Sequence, residues 1–203
     1  MTTIDHDVHR PWGRIATWFE GRLRKSPVRA AADENRLRAA EAAIGVSFPA
    51  DLVAWWSLHR VSADYWIPQS FAPVGLEEAL ETRAIWLLVA EQEGISVDED
   101  GEPEPRFLPS FLPIAMDPGG DGLIVDLRPG DSYGAVFLWD HETWVLGVEL
   151  WSSVTAMLQD VEAAVRSGTP ALLRHASLGG AAQPCVAVVD DAGDLAWEVA
   201  ERR

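Results

Sequence analysis

One cysteine, one lysine and no long apolar run are the scarcities that bound this chain. With Cys185 alone, no intrachain disulfide can form and no thiolate metal site can be built from this chain by itself, as in proteins of a reducing compartment. No stretch reaches the ~20 apolar residues of a membrane-spanning helix. The first residues, MTTIDHDVHRPWG, carry neither the basic start nor the apolar segment of a secretory signal. The expectation is a soluble, cytoplasmic protein.

Positive charge is scarce as well. Sixteen bases, all Arg except Lys25, face 32 acids, for a formal charge of −16. Residues 1–36 hold seven bases and five acids, so residues 37–203 carry −18. A field of that sign repels nucleic acid and acidic membranes and favours a basic protein partner. Cofactor signatures are missing too: there is no Walker loop, no G-x-G-x-x-G after a strand and no H-E-x-x-H, so no cofactor and no metal are expected.

What is present is globular composition, 48% hydrophobic and 24% charged over 203 residues, enough for one domain with its own core plus a short appendage. Ten tryptophans (12, 18, 55, 56, 66, 86, 139, 144, 151 and 197) are expected mostly in that core.

Trp12, Ile15, Trp18, Phe19 and Leu23 recur at helical spacing and predict an amphipathic helix over 11–25. A second helix runs from about Asp33 to Ile44 with Gly45 as its left-handed stop, and a third starts at Pro49. Tyr65–Leu76 reads as a strand or extended segment, and Glu77–Gln92 as a helix. The run DEDGEPEP at 98–105, with five acids and two prolines, reads as a solvated loop. Phe111–Trp144 holds the apolar runs Leu123–Leu127 and Ala135–Trp139 between Gly, Pro and Asp clusters, the pattern of an antiparallel meander. Ser152 or Ser153 caps a following helix that Gly168 and Pro170 stop. Cys185–Val189 and Leu195–Val199 form a hairpin around Asp190–Asp194. The expected organisation is a domain over 1–168 and a C-terminal extension over 169–203.

Three constellations could carry chemistry. Gly130-Asp131-Ser132-Tyr133-Gly134 fits G-x-S-x-G, but a nucleophile elbow needs a helix after the serine, and AVFLWD is strand-like, so Ser132 belongs to a hairpin turn. Asp117, Asp121 and Asp126 offer oxygen ligands without calcium-loop spacing, among the Gly and Asp that tight turns demand. Asp140-His141-Glu142 gathers three potential ligands, yet successive strand residues point to opposite faces. Turn chemistry accounts for all three.

The order of landmarks carries a family pattern. A Trp12-x-x-Ile15-x-x-Trp18 helix precedes Glu41-x-x-x-Gly45-x-x-x-Pro49-x-x-Leu52, followed by a Trp/Pro segment. Leu112-Pro113-Ile114-Ala115, Asp117, Gly119-Gly120-Asp121, Asp126 and a Pro-Gly turn come next. Over about residues 10–167 the chain resembles the SUKH superfamily, the bacterial relatives of the fungal Smi/Knr cell-wall-assembly regulators. The resemblance implies an α+β fold, a mostly antiparallel sheet with surrounding helices, here with a C-terminal β-hairpin appended. It implies a protein-binding rather than catalytic role: immunity proteins that neutralise polymorphic toxins, many of them nucleases, or regulatory and scaffolding modules of the Smi/Knr type. A hydrolase using Ser132 is the minor alternative. The expected contact surface comprises Asp98, Glu99, Asp100, Glu102 and Glu104 of the acidic loop with Asp117, Asp121, Asp140 and Glu142 at the sheet turns, facing a basic toxin domain.

Overall fold

A computed structural model describes residues 7–24, 27–93, 107–175 and 182–200. The first half is helical: α1 (His9–Glu20), α2 (Glu34–Ile44) and α3 (Ala50–Ser57) precede the two-residue β1 (Ala72–Pro73), and α4 (Leu76–Glu93) follows. The second half supplies β2 (Phe111–Met116), β3 (Gly122–Asp126), β4 (Val136–Asp140) and β5 (Val145–Trp151), then α5 (Val154–Ser167), a 3₁₀ turn at Leu173–His175, β6 (Cys185–Val189) and β7 (Leu195–Val199). The sheet order is β1-β2-β3-β4-β5 with every pairing antiparallel, and β6 and β7 form a separate two-stranded sheet. The architecture is α+β, as the sequence implied.

The punctuation read from the sequence has physical counterparts. Asp33 accepts the Arg36 N–H at the start of α2, and Ser153 accepts the Ala156 N–H at the start of α5, each satisfying an amide that has no partner within its helix. Gly45 and Gly168 close the same helices in the left-handed conformation, at φ 80° and 66°. The spacing Glu41-Gly45-Pro49-Leu52 is a joint: the Glu41 carboxylate accepts the Phe48 N–H at 2.7 Å, Pro49 caps α3, and Leu52 is fully buried. One link was invisible from spacing. The buried Asp51 of α3 accepts the Thr155 N–H of α5 at 3.0 Å across 104 residues of chain.

Both faces of the sheet are covered, which is why its strands read as continuous apolar runs rather than alternating ones. Leu112, Ile114, Leu123, Val125, Val136 and Leu138 join Ile15, Leu52, Trp55, Trp56, Leu158 and Val161 in the main core. Phe111, Ile124 and Trp139 project the other way, against Trp86 of α4 and Phe107. Seven of the ten tryptophans are buried, the exceptions being Trp18, Trp144 and Trp197. β1 tolerates Pro73 because it is an edge strand, where a missing N–H costs no ladder bond.

Some boundaries differ from expectation. α1 occupies His9–Glu20 rather than 11–25, and of the extended stretch 65–76 only Ala72–Pro73 is a strand. β5 has no counterpart among the predicted elements: Gly147 interrupts its apolar pattern, and two register shifts against β4 break the alternation. The hairpin falls where predicted, at Cys185–Val189 and Leu195–Val199, and its inner residues Ala187 and Leu195 pack on the main core.

Candidate protein-binding surface

Antiparallel order places the β2–β3 and β4–β5 turns at the same end of the sheet, and with them Asp117, Asp121, Asp140 and Glu142. Asp117 accepts the N–H groups of Gly120 and Asp121 through one oxygen, at 2.7 and 2.8 Å. Gly120 takes φ 108°, which L side chains rarely adopt, and its Cα lies so close to the His141 ring that an added methyl would sit 3.2 Å from it. The two turns thus touch through a glycine and an imidazole.

Asp121 fastens that contact. Its Oδ1 accepts both the backbone N–H of His141 at 3.0 Å and the ring Nδ1–H at 2.8 Å. The hydrogen bond to the Asp121 carboxylate, above all, raises the His141 pKa, since the imidazolium gains more from it than the neutral ring. Asp140 accepts the N–H groups of Glu142 and Thr143 at 2.9 Å each, and the bond from Thr143 leads the causes that hold its carboxyl below the usual range. Of the four acids, Glu142 alone is exposed, while the other three are half-buried with an oxygen turned to the backbone.

Asp140 ends β4, whereas His141 and Glu142 lie in the turn after it. The expectation that the three alternate along one strand is therefore corrected, and His141 meets Asp121 rather than its sequence neighbours. Among the described residues no three His, Cys, Asp or Glu side chains gather to hold a metal ion. Asp126 stands apart, fully buried and clasped by Arg128 through bonds of 2.7 to 3.0 Å. Ser132 lies in the turn that feeds β4, its carbonyl accepting the Ala135 N–H, so strand rather than helix follows it. Asp98, Glu99, Asp100, Glu102 and Glu104 fall outside the described residues.

Behind the acidic turns lies an aromatic floor that composition alone did not locate. Trp139 is ringed by Phe107, Trp86 and Trp144 at centroid distances of 5.2, 6.0 and 5.8 Å. Trp144, at φ 60°, is half-exposed beside the exposed Val145, and Val148 is exposed further along β5. On α4, Ile85 and Leu88 are 59% and 54% exposed, so the helix that covers this floor is apolar on its outside as well.

A helix-flanked, five-stranded antiparallel sheet with carboxylate-tied turns at one end defines an α+β domain with acidic residues along one rim of its sheet. The chain belongs to the SMI1 / KNR4 family (SUKH-1), whose model matches residues 31–160, well over half its length. Comparison with curated proteins gives no match. The matched span begins after α1 and ends within α5, so the hairpin lies beyond it. No helix among the described residues is long and apolar enough to cross a membrane.

Proposed function

We propose that this protein is an immunity protein that binds a cationic toxin domain, covering it with the acidic rim formed by Asp117, Asp121, Asp140 and Glu142 together with the acidic loop at 98–105. The observation that carries the reading is the convergence of the two carboxylate-rich turns at one end of the sheet, in a chain whose residues 37–203 carry −18. Held in place by turn hydrogen bonds, the carboxylates of Asp117, Asp121 and Asp140 meet a basic surface without first losing side-chain freedom, which lowers the cost of association. The half-exposed Trp144 and exposed Val145 beside them supply the aromatic and apolar contact that dominates affinity in protein interfaces. Family membership supports a protein-binding, non-catalytic role, and the Ser132 hydrolase reading finds no helix to carry its nucleophile.

The test is co-purification with the product of the adjacent gene. A complex that forms at low salt and is lost when Asp140 and Glu142 are both changed to Lys supports the reading. Absence of any complex at low salt refutes it. A regulatory or scaffolding role is the second reading, and Ile85 and Leu88 favour it, because an apolar contact patch would give binding indifferent to salt. In organisation, the domain over 1–168 would carry the rim and the extension over 169–203 would serve as an accessory.

A further inference from the structure

We infer that the outer edge of β7 is a docking strip for an extended cationic peptide segment, which joins the C-terminal hairpin as a third strand. The register leaves that edge open. Cys185 faces Val199, Ala187 faces Trp197 and Val189 faces Leu195. The ladder is bracketed by the bonds from Asp190 N–H to the Asp194 carbonyl and from Ala200 N–H to the Pro184 carbonyl. Antiparallel bonding alternates, so Ala196 and Glu198 direct their main-chain groups at β6, while Leu195, Trp197 and Val199 direct theirs away from it. Among the described residues this side is held only at the turn, where the Gly193 carbonyl accepts the Arg24 N–H and the Asp194 carboxylate accepts from the Arg24 side chain.

Proteins usually disarm such an edge with lysine, proline or a bulge. The edge of β5 is treated that way: its pairing with β4 is twice shifted, and its Leu150 carbonyl accepts from the Arg174 side chain. β7, Leu195-Ala196-Trp197-Glu198-Val199, has no lysine, no proline and an unbroken register, and Val199 is 66% exposed. Its main-chain groups are a template for strand addition, in which ladder bonds give affinity and alternate side chains give selectivity.

Charge decides the occupant. Asp194 is paired with Arg24, which leaves Asp190, Asp191 and Glu198 with no base over 185–200, and a second copy of a chain at −16 would be repelled. A segment alternating Lys or Arg with apolar residues matches both the edge and its surroundings. The inference deepens the proposed function in the sign of the partner alone, since it concerns a surface outside the rim.

The experiment titrates a fluorescent peptide alternating Lys and Val into the intact protein and reads anisotropy. A second peptide of the same sequence has alternate amides N-methylated, keeping charge and removing ladder donors. Val199→Pro deletes an outward N–H that the β6 ladder does not use. The expected result is binding by the first peptide, with affinity lowered about tenfold or more by N-methylation or by V199P, the equivalent of one or two ladder bonds. Equal binding by both peptides would mean that charge alone attracts them and would overturn the inference, as would no binding by either. Should V199P unfold the hairpin, the two-peptide comparison on the unaltered protein still decides. A rim variant that loses the toxin while binding the peptide normally, or the reverse, separates this inference from the proposed function.

Discussion

At Gly122 a single hydrogen in place of a side chain settles how the outer face of the sheet packs. A methyl there would lie 2.7 Å from the Trp86 ring and 3.4 Å from the Met116 sulfur, and Trp86 is held by Phe107 and Trp139. Overpacking of this kind costs typically about 1–3 kcal/mol. Gly122→Ala is therefore expected to lower the denaturation midpoint by that amount of free energy at unchanged m-value, checked by urea unfolding, and a midpoint equal to the parent's would refute the packing argument. Nothing in the string Asp121-Gly122-Leu123 announces this. Glycine beside aspartate reads as a turn signal, and its partner Trp86 sits on an element far away in the chain. Residue-level legibility followed the same line throughout: caps satisfied within a few positions, such as Ser153 and Gly45, were readable, whereas Asp51 to Thr155 and Asp121 to His141 were not, because fold rather than spacing makes those pairs.

Among elements, the two turns at the rim behave as one unit because His141 spans them. Its pKa is raised in the folded protein, so the proton it binds stabilises the native state. That contribution is fully present below the unfolded imidazole pKa, about 6.5, and fades as pH rises through the higher folded value. Asp121→Asn should return the His141 titration, followed by NMR of the ring protons, toward the ordinary value and remove this part of the pH dependence of stability. An unchanged titration midpoint would show that Asp121 does not set it. Elements with local signals were legible, notably the hairpin, the stops at Gly45 and Gly168, and the runs that became β3 and β4. β1 and β5 were not: β1 is too short to show a period, and β5 is interrupted by Gly147, where a side chain would press on the Leu138 carbonyl at 3.2 Å.

For the whole molecule, the uneven charge predicts kinetics more than affinity. Association of an acidic surface with a basic partner is steered by long-range attraction, which salt screens over about 8 Å at physiological ionic strength. Stopped-flow measurement with the adjacent-gene product should show an on-rate that falls steeply with added salt and an off-rate that barely moves. An on-rate insensitive to salt would favour the apolar patch of Ile85 and Leu88 instead. The family pattern was legible at this scale because it resides in the order of landmarks, and the joint at Glu41, Gly45 and Pro49 gives part of that order a mechanical reason.

The lone thiol turns the C-terminal hairpin into its own reporter. Cys185 lies at the seam with α5, packed with Ala164 and Ala171, and burial pushes its pKa up to about 11. In the closed hairpin it is therefore both screened and protonated, and thiolate is the reactive form. Alkylation at mildly alkaline pH must proceed through molecules whose hairpin has momentarily lifted away. Its rate, divided by that of a free thiol, measures how often the seam parts, and a strand added to β7 would register as a slower clock.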